Sequence, residues 1–228
     1  KGYDTYRKRS QVMTMIPEYR LHAEDVRQAM LRTMQNHLSL KTEGYRCTTE
    51  MTLSVLLKAA AQGSSLEAVC ADLSGVADSN TLREQLNEAL DVADLRHQEA
   101  EFNLALSSAM PPDMPRGGLE VAIDLHDEPF YGHSPELRTY TCKAQAKQGT
   151  SRFFRIASAY VIWREVRLPL ALTYVLPDDD LLSVVKLLLA RLAHVGIHTS
   201  VLYLDKGFCS GDIIGYLQDI RQHRRLTN

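Results

Sequence analysis

DLLSVVKLLLARLAHVGIHTSVLYLD, residues 180–205, changes periodicity within a single turn. Residues 180–195 carry their apolar side chains at helical spacing, whereas SVLYLD, residues 200–205, has the dense apolar character of a strand and stops on a carboxylate. A strand that follows a helix in a right-handed crossover returns parallel to an earlier strand of its sheet. Three earlier candidates stand upstream: LEVAIDL at 119–125, FFRIASAYVIW at 153–163 and VRLPLALTYV at 166–175, the last two joined by a tight turn at Arg164-Glu165. The expected order is strand, strand, strand, helix, strand. Pairing the last strand beside the first brings together Asp124 and Asp205, each near the end of its apolar run.

Upstream of residue 119 the periodicity is helical. PPDMPRGG, residues 111–118, has three prolines and two glycines that no helix interior or central strand accepts, so it reads as a domain linker. Helices are expected over residues 18–40 and 48–61, the second with Thr48 or Thr49 as N-cap. Ser64 or Ser65 then caps a short helix bearing Leu66, Val69, Cys70 and Leu73, and Ser74-Gly75 makes a turn. Asp78 or Ser79 caps the next helix, which carries Leu82, Leu86 and Leu90 and is expected to run to about Ala109. This is the shape of a helix-turn-helix. If it reads DNA, its second helix presents Asn80, Thr81, Arg83, Glu84 and Asn87 to base edges or phosphates. A plain helical hairpin is the competing reading, favoured by the acidic Glu88, Asp91 and Asp94. The expected fold class is α+β: an all-α region over 1–110, the linker 111–118, and a mixed sheet with helices over 119–228.

With 228 residues, 45% of them hydrophobic, the chain suits one large or two small domains with a real core. Its longest apolar stretch is broken by Lys186, Arg191 and His194, and its first residues lack the apolar core of a secretory signal, so neither a membrane span nor export is expected. Cys47, Cys70, Cys142 and Cys209 form no C-x-x-C pair, which argues against a zinc ribbon or a disulfide framework and for a reducing, cytoplasmic setting. The net charge of −2 is unusual for a protein that covers phosphates. Residues 1–47, however, hold nine basic residues against five acidic ones. Such a surplus suits a nucleic-acid contact or a solvated helix face.

Two carboxylates at the ends of adjacent strands can hold a divalent metal against a phosphate, which points to phosphoryl transfer on nucleic acid. Here a resemblance becomes specific. AIDLHDEPFYG around Asp124 and LYLDKGFCSGDIIGYL around Asp205, 81 residues apart, resemble the first and second acidic motifs of the DDE transposases of prokaryotic insertion sequences. The resemblance covers residues 119–217 and implies a ribonuclease H-like α/β core. It further implies Asp124 and Asp205 as catalytic ligands of Mg²⁺ or Mn²⁺, Lys206 as a phosphate contact, and Gly207 as the pivot of a sharp turn. DNA ends and target are the implied partners, with a homodimer in the active complex, no membrane, and a cytoplasmic location that becomes nucleoid-associated on DNA. His126, Asp127 and Glu128 crowd the first site as further ligands or as a polar strand-end turn, while His194, His198 and Trp163 read as structural.

The family's third acidic residue, on a later helix, has no counterpart here: the sequence stops at Asn228, 23 residues after Asp205, so truncation before that residue is expected. Asp212 and Asp219 lie too soon after Asp205 to serve. The alternatives to a transposase or its catalytic fragment are a non-catalytic DNA-binding or assembly protein that keeps the fold, and a ribonuclease H-like nuclease that cuts without joining. A sheet edge left open by the truncation would favour self-association.

Overall fold

The computed structural model describes residues 21–226 except 41, 43, 45 and 46. The start of the helix expected from Glu18, and the basic residues Lys1, Arg7, Lys8, Arg9, Arg20, Lys41 and Arg46, lie outside the described residues.

Helices α1 (Ala23–His37), α2 (Thr49–Gln62), α3 (Leu66–Asp72) and α4 (Ser79–Ala89) come first. Their starts are set by side-chain caps: the Thr48, Ser65 and Asp78 oxygens accept from backbone N–H groups of the first turns of α2, α3 and α4. Gly63 closes α2 in the left-handed conformation, at φ 58°. α2, α3 and α4 share a small core of Val55, Val69 and Leu82 with Cys47. The helix expected to continue to Ala109 is broken. α4 stops at Ala89, Asp91 takes the N–H of Ala93 to start a 3₁₀ turn, and α5 (Leu95–Ser108) begins afresh.

The sheet is longer than its sequence pattern. β1 (Leu119–Pro129) continues past Asp124, so His126, Asp127 and Glu128 are strand residues and not a strand-end turn. Pairing against the first part of β3 (Thr150–Trp163), out to Pro129 opposite Phe153, imposes that extension. Two elements were not anticipated: α6 (Pro135–Thr139) and β2 (Cys142–Lys147). β2 turns into β3 through Gln148 and Gly149, both at positive φ, and β3 turns into β4 (Val166–Val175) through Arg164 and Glu165, also both positive. Successive left-handed residues match the twist of paired strands. Pro169 is accommodated by a bulge in β4, which is why the neighbours Leu170 and Ala171 are both buried.

After β4 comes α7 (Leu181–His194), capped by Asp180, then β5 (Thr199–Leu204) and α8 (Gly211–Leu226). β5 lies parallel beside β1, as the crossover argument expects, with Ile123 level with Leu204. β1 is antiparallel to β3, and β4 and β2 both pair with β3. The result is an α+β fold with a mixed sheet.

The main core lies on one face of that sheet. Val121, Ile123, Ala157, Ala159 and Val161 pack there against Val184, Val185, Leu188 and Leu192 of α7, with Phe208 and Ile213 from the β5–α8 segment. Trp163 packs against this core, with the Arg164 guanidinium 4.2 Å from its ring centroid. The expected linker takes part as well: Met114 is 3% exposed within the core, and the Arg116 carbonyl accepts from the N–H of His198.

Helix α5 closes the β4 side. Glu99, 1% exposed, accepts from the Tyr174 N–H at 2.8 Å and the Thr173 hydroxyl at 3.0 Å, and pairs with Arg96 of its own helix and Arg191 of α7. Asn103 accepts from the N–H of Leu172 and donates to its carbonyl, which Arg191 also meets. Helical side chains thus complete the hydrogen bonds that a further strand would otherwise make.

Candidate metal centre and nucleic-acid interface

Asp124 lies within β1 and not at its end, and Asp205 follows directly on β5, so the two stand side by side where the β1–β5 pairing stops. The Asp205 N–H donates to the carbonyl of Ile123 at 3.2 Å, so the ladder between β1 and β5 continues up to these two residues. Strand alternation fixes their face. Val121, Ile123, Leu202 and Leu204 point into the core, so Asp124 and Asp205 both project from the opposite face and are exposed.

Each carboxylate has one local bond. Asp124 Oδ1 accepts from the N–H of Leu125 at 2.9 Å, and Asp205 Oδ2 accepts from the N–H of Gly207 at 3.3 Å. Neither forms an ion pair with a described lysine or arginine, and the second oxygen of each makes no hydrogen bond to a described residue. Two adjacent hard anionic oxygens facing solvent suit Mg²⁺ or Mn²⁺, ions commonly held by one or two carboxylates together with water and substrate phosphate. The two carboxylates are compatible with part of such a donor set, and Asp124 and Asp205 are the residues that would hold the ion. Among the described residues no group of three or more His, Cys, Asp or Glu side chains is arranged to hold a metal.

The neighbours of Asp124 are occupied otherwise. Asp127 points to the core side and takes the Arg155 guanidinium through two bonds, 2.7 and 3.0 Å, while His126 Nε2 and Glu128 lie 3.5 Å apart. Gly207 is not at positive φ; the pivot expected there is instead a close approach. A Cβ at this position would stand 3.2 Å from Leu125 Cδ1 and 3.4 Å from Asp205 Oδ2. Lys206 starts the 3₁₀ turn after β5 and is exposed beside Asp205. His194 ends α7, and His198 is exposed at the start of the β5 segment.

On α4, Asn80, Arg83, Glu84 and Asn87 are exposed at the i, i+3, i+4, i+7 spacing of one helix face. Thr81 differs: its hydroxyl donates to Asp78 Oδ2 at 2.7 Å, so it belongs to the cap and is half-buried. That cap, with its backbone bonds, holds the Asp78 carboxyl below its usual pKa. Arg83 lies 3.8 Å from Glu67 of α3, a loose surface pair.

Sequence reasoning missed Glu99, whose role depends on β4 and α7, and the basic residues that α6 and β2 gather. No helix among the described residues is long and apolar enough to cross a membrane. Neither a protein-family model, nor a curated protein, nor a solved structure matches this chain.

Proposed function

We propose that this chain is a DDE-type transposase or its catalytic-core portion, carrying out metal-dependent strand cleavage and strand transfer at DNA ends. The observation that carries the reading is the placement of Asp124 on β1 beside Asp205, the residue that follows the parallel strand β5, both exposed and each with an oxygen that has no described partner. The order β4, β3, β1, β5, with only β5 parallel to β1, supports a ribonuclease H-like core.

A divalent cation bound there supplies activation of water or a 3′-hydroxyl and stabilisation of the leaving oxygen. The chain's own part is to fix the two carboxylates by the ladder beneath them, so that their separation does not depend on a loop. Lys206 is placed to meet a phosphate oxygen as a point charge. The exposed face of α4, with Asn80, Arg83 and Asn87, is the proposed DNA-reading surface, with α3 and α4 as the proposed helix-turn-helix, packed with α2 on a small core. Assembly as a homodimer on paired ends in the bacterial or archaeal cytoplasm belongs to the same reading.

A second reading, a DNA-binding or assembly protein without catalysis, is favoured by the absence of a third metal-ligating side chain among the described residues. Mn²⁺ titration by calorimetry separates the two when repeated on Asp124→Asn and Asp205→Asn with folds checked by circular dichroism. Binding lost in both variants, together with metal-dependent nicking of a supercoiled plasmid, supports the first. A folded wild-type chain that binds no Mn²⁺ overturns it.

A further inference from the structure

β2 and β4 pair with the same side of β3 in succession, with Cys142 opposite Phe153 and Val175 opposite Arg155. Where the two strands meet, a cavity of about 440 Å³ opens beside the start of α7. Its floor is built. Thr141, Cys142 and Val175 are buried, the Cys142 thiol donates to the Val175 carbonyl at 3.3 Å, and the Thr141 hydroxyl donates to the Arg138 carbonyl at 2.8 Å.

Four cations line this cavity, Arg138, Lys143, Arg152 and Arg155, against one carboxylate, Asp179. The carboxylate is engaged elsewhere: Asp179 accepts from the Leu176 N–H at 2.8 Å and pairs with Arg96 at 3.3 Å. Arg155 is neutralised by its two bonds to Asp127. The other three have no acidic partner among the described residues. Arg152 is steered by bonds to the Arg138 carbonyl at 3.3 Å and the Thr141 hydroxyl at 3.4 Å, while the side chains of Arg138 and Lys143 make no hydrogen bond or ion pair to a described residue.

Three like charges without an acidic partner around one concavity repel one another, and an anion relieves that repulsion. Planar guanidinium forks and an ammonium at the lining of one concavity suit the oxygens of a phosphate group. We infer that this cavity is a phosphate-binding site, distinct from the carboxylate pair, since neither Asp124 nor Asp205 lines it. The phosphate comes either from a nucleic-acid backbone or from a free or small phosphorylated ligand. The first source rests on the function proposed above; the chemistry of the site does not.

The test uses the whole chain in EDTA, so that no cleavage intervenes. Binding of a fluorescein-labelled DNA duplex is followed by anisotropy over a salt series, and binding of inorganic phosphate by calorimetry. Arg138→Ala/Lys143→Ala removes two exposed cations of the cavity. Arg164→Ala/Arg167→Ala removes two cations from the far end of the β3–β4 hairpin as a charge-matched control, and circular dichroism verifies each fold. A fall of about tenfold in duplex affinity in the cavity variant alone, with the slope of log affinity against log salt reduced by about 1 for each phosphate no longer neutralised, supports the site with nucleic acid as its source. Phosphate binding that the cavity variant alone loses, with no duplex binding in any form, supports the site with a small ligand as its source. Equal effects of the two double variants, or no binding of either probe to the wild type, overturn it. Mn²⁺ titration of the wild type and of Asp124→Asn, run separately without EDTA, reads the catalytic proposal by itself, so its failure is distinguished from failure of the cavity.

Discussion

Replacing Glu99 by alanine should be among the most damaging single changes in this protein. The carboxylate is 1% exposed and receives the Thr173 hydroxyl, the Tyr174 N–H and the guanidinium groups of Arg96 and Arg191. Its loss leaves Arg191, whose side chain is 25% exposed, without an acid beneath the α5–α7 junction, and leaves a β4 N–H unpaired. Breaking a buried pair from one side costs about 3–5 kcal/mol. For a chain of this size each kcal/mol lowers the melting temperature by about 2–4 °C, so the expected drop is about 6–20 °C. Glu99→Gln keeps an acceptor for the Tyr174 N–H and should fall between wild type and Glu99→Ala. Combining it with Arg191→Met should recover part of the loss, giving a coupling of about 1 kcal/mol or more in a double-mutant cycle by urea unfolding. Asp113→Asn, which removes the exposed partner of Arg164, serves as the reference and should stay within about 0.5 kcal/mol of wild type. A Glu99→Ala variant within about 1 kcal/mol of wild type, or strict additivity in the cycle, would refute the account of this network.

Other expectations concern caps, turns, thiols and the carboxylate pair. Asp180 caps α7 through the N–H groups of Leu182 and Ser183, and its bonds to Ser183 lead the causes that hold its carboxyl below its usual value of 3.8. A depressed folded value gives stability that is present above pH 3.8 and lost as the pH falls through the folded value, so Asp180→Asn should flatten urea midpoints measured across the acid range. Glu165→Gly relieves a left-handed residue at φ 64° and should raise the melting temperature by about 1–3 °C, since the relief of about 1–2 kcal/mol exceeds the added freedom of the unfolded chain. Cys209 is exposed, whereas burial raises the Cys142 thiol, so a chromogenic disulfide reagent should modify Cys209 in the native protein and reach Cys142 only on unfolding. Gly207→Ala places a methyl group against Leu125 and the Asp205 carboxylate and should weaken Mn²⁺ binding by calorimetry while the protein remains folded; unchanged affinity would count against the close approach.

What could be read from the sequence was what is encoded locally. β4 was legible to its last residue because the Arg164-Glu165 turn precedes it and LPDDD follows it, and the caps Thr48, Ser65 and Asp78, each one of two adjacent candidates, announced their helices. Asp124 and Asp205 were legible as a pair because a crossover helix leaves few places for the returning strand. β2 was not, since CKAQAK has no β-branched or aromatic residue and becomes a strand through its pairing with β3. The break between α4 and α5 carries neither glycine nor proline; it is made by Asp91 bonding its own backbone two residues on. Glu99 carries no local signal of its role, because its partners Thr173, Tyr174 and Arg191 lie far along the chain.

The anchoring of residues 111–118 bears on how the molecule comes apart. Met114 sits in the main core, Arg116 is bonded to His198, and α5 immediately before them is fastened to β4 and α7. The string is thus anchored at Met114 and Arg116 although most of its residues are exposed, and α5 should be lost from the sheet only when the sheet itself melts. Heating should give a single calorimetric transition for α5, β1, β4 and α7 together, with α2, α3 and α4 the group free to fray earlier on their smaller core.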